Sequence, residues 1–211
     1  MSMVAGSGAD YDYQPVPKES HVTADAMRCL GASGYSIAEA LVMVPNVPGL
    51  YALHARPAIW TLLGFEDRGR GVPLYVGKAE KSLVSRDLKT HFSSGQTGSS
   101  TLRRSFAALL RESLDLHAIP RNPAKPGYFS MFALSSEGDQ TLTDWMREHL
   151  TLAVWPKPAD EICILDDVET AVLDQWQPPM NLAKVRQPSP SLKAARKHMA
   201  DVARGWVAAR S

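Results

Sequence analysis

Cysteine is scarce in this chain, and long apolar runs are absent. The two cysteines, Cys29 and Cys163, lie far apart and outside any metal-ligand spacing, which excludes a disulfide framework and predicts two buried thiols. No apolar run approaches the length needed to span a bilayer, and residues 1–8 lack the basic and apolar regions of a signal peptide. These absences predict a cytoplasmic protein.

Net charge is also nearly absent, but the charged residues are segregated along the chain. The formal net charge of +1 divides into −2 for residues 1–70, +5 for 71–125, −8 for 126–182 and +6 for 183–211. Clustered lysine and arginine attract phosphates even on a nearly neutral protein. The two basic segments are therefore candidate nucleic-acid surfaces, although a solvated charged surface is the alternative for the C-terminal segment.

Two short apolar runs each contain a tyrosine. Residues 49–53 and 72–77 are typical of strands, and the glycine-rich, charged segment between them predicts a β-hairpin with a long loop. Because side chains alternate between the faces of a strand, Tyr51 and Tyr75 can stand side by side on one face. The alternative is a tyrosine pair that only packs.

The remaining elements follow from helical spacing and capping residues. Residues 1–20 are predicted to form an arm, and further strands are predicted over 127–134 and 151–155. Helices are predicted over 22–31, 36–43 with Ser36 as its cap, 82–92 with Ser82 as its cap, 102–114, 141–150 with Thr141 or Thr143 as its cap, 166–175 and 191–209. The 211 residues contain no internal repeat, and 45% hydrophobic content supports one packed core.

Several chemistry-bearing residues follow the two tyrosine runs in a fixed order. After Gly49-Leu50-Tyr51 and Tyr75-Val76-Gly77 come Lys78, Arg86, His91, Glu169 and Asn181. In this order the chain resembles the GIY-YIG nuclease superfamily, from about residue 47 to 183. Arg86 and His91 are five residues apart, whereas the family has four. Either the helix begins after Arg86 or His91 lies near an irregular end.

The resemblance implies an α/β fold with a small, mostly antiparallel sheet flanked by helices. Residues 1–46 would form an arm with short helices, and residues 47–183 the nuclease-like domain, with a loop and helix inserted at about 93–125. Residues 184–211 would add a basic helix.

The implied activity is metal-dependent endonuclease cleavage of DNA. One Mg²⁺ or Mn²⁺ ion would be held by Glu169, water and the DNA phosphate, since oxygen ligands suit these hard cations. Tyr51 would be the general base beside the positive charge of Lys78, and Tyr75 would position the phosphate or water; these tyrosine roles are exchangeable. Arg86 would hold the phosphate, and His91 would orient a group or relay a proton. Asn181 would fix its loop and Glu169 by hydrogen bonds.

DNA contacts are predicted for five basic residues: Lys81, Lys89, Arg103, Arg104 and Arg111. The Gly-Ser-Thr loop at 93–101 is either an ordinary capped loop or a clamp on the DNA backbone. It is not a nucleotide-binding loop, because a Gly-Lys-Ser/Thr ending is missing. Specificity would come from the 93–125 insertion or from a homodimer. A nuclease-like module that binds nucleic acid without cutting is the alternative, and RNA is a weaker third possibility.

Overall fold

An antiparallel sheet of four strands organises the molecule. The computed structural model describes residues 20–84, 90–160 and 163–208, so nearly all of the predicted arm, residues 1–20, lies outside the described residues. The strands are β1 (Tyr35–Ser36), β2 (Gly49–Ala55), β3 (Tyr75–Ala79) and the last strand, Leu150–Pro156, in the order first, last, second, third. The hairpin and the strand predicted over 151–155 are confirmed, and the third strand of the chain lies at an edge.

Helices cover both faces of this sheet, which confirms the predicted α/β class. Alternation on β2 sends Leu50 and Ala52 to one face and Tyr51 and Leu53 to the other. The first face packs against α1 (His21–Leu30) and a later helix, Leu165–Trp176; the second packs against α2 (Ile37–Met43) and the helices that follow the hairpin. Two buried cores therefore lie on opposite sides of one sheet.

The first two helices lie within one residue of their predicted bounds. Ser20 Oγ accepts the Thr23 N–H of α1. Ser36 and Glu39 form a reciprocal capping box at α2, in which each side chain accepts the other residue's backbone N–H. The chain then departs from prediction, because the loop of the hairpin contains a short helix, α3 (Pro57–Leu62), that begins with a proline suited to a first turn.

The segment after the hairpin differs most from the sequence-based prediction. The helix predicted over 102–114 is α4 (Thr101–Leu109), capped by Ser100. The strand predicted over 127–134 is wrong: Phe129–Met131 forms a 3-10 turn, and only β5 (Ala133–Leu134) pairs, with β4 (Ala118–Ile119). Tyr128 has φ +48°, a left-handed conformation that interrupts an extended chain.

The last three helices complete the two cores. Helix α5 (Ser136–His149) begins five residues before its predicted start, because Ser135 and not Thr141 or Thr143 is its cap; Gly138, a weak helix former, obscured this first turn. It leads into the last strand, β6 (Leu150–Pro156), and then α6 (Leu165–Trp176) and α7 (Pro190–Ala208) match their predictions closely. Ala195 and Met199 of α7 are buried in the same core as Tyr51. No described helix is both long and apolar enough to cross a membrane.

Candidate active site

Two tyrosines meet where β2 pairs with β3. Tyr51 lies opposite Gly77 and Leu53 lies opposite Tyr75, so the tyrosines are diagonal neighbours on one face with ring centroids 6.0 Å apart. A Cβ added to Gly77 would lie 2.6 Å from Tyr51 Oη and 2.9 Å from Tyr75 Cε1. Only a glycine leaves room for both rings, and the predicted cross-strand pair is confirmed.

His91 stands behind Tyr51. The Tyr51 hydroxyl and His91 Nε2 are 2.8 Å apart and hydrogen-bonded, and His91 Nδ1 is 2.8 Å from Ser100 Oγ. His91 is 2% exposed, so it is not a surface histidine. Ser100 Oγ also accepts the Arg103 backbone N–H as the cap of α4. A hydrogen-bonded chain therefore runs from the phenol of Tyr51 through the imidazole to a helix cap.

The segment that carries His91 is irregular. Leu83 is helical after Ser82, which hydrogen-bonds to Asn46, and Val84, Thr90 and His91 are π-helical. A π turn bonds each residue to the fifth along the chain and often marks a functional site. His91 thus lies at an irregular helical end, one of the two alternatives for its five-residue separation from Arg86. Arg86 and Lys89 lie outside the described residues.

A cluster of alternating charges lies beside the tyrosines, between β3 and α6. Lys78 Nζ is 2.5 Å from Asp166 Oδ1 and 2.9 Å from Glu80 Oε1. Lys184, on the loop after α6, places its Nζ 2.6 Å from Asp166 Oδ1 and 2.7 Å from Glu169 Oε2. Asp166 therefore joins the two ammonium groups, while Glu169 is paired with Lys184.

These contacts perturb the ionisation of the cluster. Hydrogen bonds from Lys184 and Lys78 lower the pKa of Asp166 to about 2. The hydrogen bonds to Asp166 and Glu80 raise the pKa of Lys78. Burial acts to lower the pKa of Lys184, but the hydrogen bonds to Asp166 and Glu169 outweigh it and the pKa rises. Both lysines and Asp166 are charged at neutral pH.

A pocket of about 510 Å³ gathers five of the twelve predicted site residues. Its walls are Tyr51, Tyr75, Lys78, Glu80, Lys81, Ser82, Thr90 and Glu169. Glu80 and Lys81 are exposed and mark its mouth, whereas Tyr51 and Glu169 are buried at its base. The structure thus brings Tyr51, Tyr75, Lys78, Lys81 and Glu169 together, with His91 directly behind.

Asn181 has a structural position at the edge strand. Its Oδ1 accepts the Val76 N–H at 3.0 Å, and its Nδ2 donates to the Val76 carbonyl at 2.8 Å. The side chain therefore pairs with β3 as another strand would, and it holds the loop that follows α6. Among the described contacts, the side-chain hydrogen bonds of Asn181 go to Val76 and not to Glu169.

Arg103 is not available to DNA, which corrects the sequence-based prediction. Its side chain is fully buried and ion-paired with Asp139. It also donates to the His91 carbonyl at 2.9 Å and to Thr143 Oγ1 at 2.8 Å. A guanidinium with this many protein acceptors inside the core cannot reach a phosphate. Arg103 instead fixes the backbone of His91.

Arg104 is also buried, and the same correction applies to it. It donates to the carbonyls of Thr97 and Gly98 and to Thr101 Oγ1, so it holds the Gly-Ser-Thr loop from within. Burial, followed by the neighbouring Arg196 and Arg121, lowers its pKa to about 10. The loop is therefore capped and internally bonded rather than a clamp built on these two arginines. Arg111 is half-buried and ion-paired with Glu112 at 2.7 Å.

The pocket offers oxygen donors to a divalent ion. The described residues contain no group of three or more His, Cys, Asp or Glu side chains placed to hold a metal. One carboxylate, Glu169, lies at the base beside two phenols, and Glu80 lies at the mouth. Mg²⁺ commonly binds through one or two carboxylates, several waters and substrate phosphates. This donor set fits such an ion.

Sequence reasoning missed two residues of the site, Lys184 and Ser100. Lys184 lies three residues after Asn181 and has φ +59°. No local sequence pattern predicts this backbone conformation. Ser100 is recognisable from the sequence as a helix cap, but its contact with His91 joins two segments across the fold. Both contacts arise from tertiary packing.

Comparison with known proteins finds a matching family model. Residues 59–201 match the family model described as the GIY-YIG catalytic domain. The match covers more than half of the chain and includes Tyr75, Lys78, Glu169, Asn181 and Lys184, while Tyr51 precedes it. No curated protein and no solved structure matches this chain.

Proposed function

This chain belongs to the GIY-YIG family, whose catalytic domain indicates nuclease activity on a nucleic acid, and from that premise we propose that it is a metal-dependent endonuclease that hydrolyses DNA. The observation that carries the proposal is the convergence of Tyr51, Tyr75, Lys78 and Glu169 on one pocket. These are an acid–base group, a positioning hydroxyl, a fixed cation and a carboxylate. Hydrolysis of a phosphodiester requires an activated water, stabilisation of the negative charge on the phosphoryl oxygens and neutralisation of the leaving oxygen, and these groups can contribute to each.

Tyr51 is the proposed general base for the attacking water. Its hydroxyl bonds His91 Nε2, and Ser100 Oγ contacts the other ring nitrogen. When Nδ1 donates its hydrogen to Ser100, Nε2 carries the lone pair that accepts the phenol proton. Tyr51 can then take a proton from water as it passes its own to His91. The rings of Tyr51 and His91 are both buried, so the hydrogen bond between them is shielded from bulk solvent.

The phosphate is the proposed ligand of the cations around the pocket. Lys78 is held in place by Asp166 and Glu80, so its charge is fixed near the tyrosines before substrate arrives. Lys81 lies at the mouth, where an adjacent phosphate would pass. Tyr75 positions the scissile phosphate or the water by its hydroxyl. Arg86 keeps the phosphate-holding role that the family resemblance implies.

Glu169 is the proposed protein ligand of one Mg²⁺ or Mn²⁺ ion. When bound, the ion supplies Lewis-acid stabilisation of charge on the phosphoryl and leaving oxygens. Glu169 is held at the pocket base by α6, one turn after Asp166, with its side chain 10% exposed. Asn181 keeps β3 and the loop after α6 together, so the carboxylate and the tyrosines stay on one frame.

The proposal is tested by incubating the purified protein with supercoiled plasmid, single-stranded DNA or RNA. Mg²⁺ or Mn²⁺ is added in one arm and EDTA in the other. We expect nicking or linearisation of plasmid only with metal; discrete products would indicate sequence specificity and a smear none. Cleavage of RNA alone would overturn the choice of DNA. Binding of every substrate without cleavage would instead support the non-cleaving module.

A further inference from the structure

Lys184 occupies an unusual place for a lysine. It lies in the loop that Asn181 ties to β3, and its backbone has φ +59°, in the left-handed region that side chains other than glycine rarely adopt. Its side chain is 30% exposed, yet its Nζ reaches Glu169 Oε2 at 2.7 Å and Asp166 Oδ1 at 2.6 Å. The loop therefore delivers an ammonium group directly onto the carboxylate at the pocket base.

The two lysines of the cluster differ in what they bind. Lys78 contacts Asp166 and the exposed Glu80, and neither carboxylate lies at the pocket base. Lys184 is the cation that pairs with Glu169 in the part of the chain that the structure describes. Glu169 is nearly buried, so an unpaired charge there would be costly. Lys184 supplies the compensation.

We propose that Lys184 is a resident countercharge for Glu169, one that weakens divalent-ion binding in the free protein and turns to the DNA phosphate when ion and substrate arrive. The inference rests on the proposed function, because it takes Glu169 as the ligand of the ion. An ammonium 2.7 Å from Oε2 repels a divalent ion at the same carboxylate, so binding of the ion favours a position of the ammonium farther from Glu169. Moving the ammonium leaves it in need of an anion, and a phosphate at the pocket provides one.

This exchange couples metal binding to DNA binding. The divalent ion and the DNA phosphate both favour the position in which Lys184 has left Glu169. Binding of either one therefore increases the affinity for the other, and the coupling is reciprocal. The free protein would therefore bind the divalent ion weakly. Binding would become tighter once DNA is present. Asp166 keeps the ammonium nearby, since it contacts Lys184 independently of Glu169.

The test measures Mn²⁺ binding to the full chain without DNA, by titration calorimetry and by electron paramagnetic resonance of free Mn²⁺. We expect Lys184→Met and Lys184→Gln to bind Mn²⁺ about tenfold more tightly than the parent, because one competing positive charge is gone. Lys184→Arg should restore the parental affinity. Lys193→Met, which removes an exposed lysine from α7, is the matched control and should change nothing.

A second readout follows DNA binding in Mn²⁺ as a function of salt, with Tyr51→Phe added to every protein so that the DNA is not cleaved. Loss of one phosphate contact in Lys184→Met should lower the slope of log affinity against log salt by about one. Lys193→Met should lower it less. Thermal melting identifies a variant that has merely lost its fold, in which case Lys184→Gln carries the comparison.

The outcomes separate this inference from the proposed function. Mn²⁺ binding that is lost in Glu169→Gln but equal in the parent and both neutral Lys184 variants would overturn the countercharge while the metal site stands. Mn²⁺ binding unaffected by Glu169→Gln would overturn both. Mn²⁺ binding absent from the parent and from every Lys184 variant would overturn the countercharge alone, because the ion of the proposed function is also held by the DNA phosphate. Tighter Mn²⁺ binding in the neutral Lys184 variants, with the parental affinity in Lys184→Arg, supports the inference.

Discussion

Two charged networks in this protein are built from the same kinds of residue and differ in their access to water. Around Arg103 and Asp139 the charges are fully buried, and every contact is made within the protein. Around Lys78, Asp166, Lys184 and Glu169 the charges line or border an open pocket. The first network can only support the fold, while the second can exchange partners. Access to solvent, rather than the presence of charge, distinguishes the network that supports the fold from the network at the pocket.

The two networks are connected through His91. Arg103 holds the backbone of His91, and His91 holds the hydroxyl of Tyr51 at the pocket. A change in the buried network should therefore cost stability first and activity second. A change in the open network should cost activity with little loss of stability. The following variants test that division.

Tyr51→Phe should have the largest effect, and that effect should fall mainly on the cleavage rate. Removing the hydroxyl deletes the proposed base and its bond to His91, and we expect cleavage to fall by about 10²- to 10⁴-fold. The ring still fills its place beside Tyr75, so the loss of stability should be limited to the one buried hydrogen bond to His91, about 1–3 kcal/mol. Single-turnover cleavage of a labelled duplex, with DNA affinity measured alongside, checks this. A rate within twofold of the parent would remove Tyr51 from the mechanism.

Arg103→Met should break the buried network. It leaves Asp139 buried without its partner, which costs about 3–5 kcal/mol of the free energy of unfolding. Arg111→Met is the matched control on the same segment, because its exposed partner Glu112 makes a pair worth about 0–1 kcal/mol. Urea denaturation measures both. Equal losses would contradict the assignment of Arg103 to the core.

Ser100→Ala tests whether the buried network affects activity through His91. It removes the cap of α4, at about 1 kcal/mol, and the partner of His91 Nδ1. Ser100→Asn retains a capping side chain and should recover most of the stability. Because the relay geometry with His91 is not restored, cleavage should remain reduced in both variants. Recovery of the rate together with stability would show that Ser100 acts only as a cap.

Asp166→Asn should have the smallest effect on stability and should depend on pH. The folded protein lowers the pKa of Asp166 to about 2. This carboxylate therefore stabilises the fold above its unfolded pKa of about 4, and the contribution is lost as pH falls through the folded value. Because Asp166 is half exposed, we expect a difference of under about 1 kcal/mol at pH 7 that vanishes near pH 2. Urea denaturation at several pH values measures it.

Much of the sheet could be predicted from the sequence, because its signals are local. The runs around Tyr51 and Tyr75 are short, apolar and bounded by turn residues, and the predicted hairpin is the observed one. The segment at 127–134 is equally apolar, yet a left-handed residue at Tyr128 breaks it. Tyrosine rarely adopts that conformation, so it cannot be read from residue type.

The site residues that belong to the ordered sequence motifs could be predicted. Those whose role depends on tertiary contacts could not. Tyr51, Tyr75, Lys78 and Glu169 follow from the ordered motifs, and the pocket gathers them. The sequence predicts DNA contacts for Arg103 and Arg104 because clustered basic residues attract phosphates. Their burial depends on Asp139 and on loop carbonyls that only the fold brings near. Lys184 was missed for the same reason.

The most direct measurement is plasmid cleavage by the parent, Glu169→Gln and Glu137→Gln in Mg²⁺ or Mn²⁺. Glu137 is an exposed glutamate in the first turn of α5 and is the matched control. We predict metal-dependent cleavage by the parent and by Glu137→Gln, and none by Glu169→Gln, with all three proteins folded. Cleavage by Glu169→Gln at the parental rate would contradict the account, because the pocket beside β3 would then not be the catalytic site.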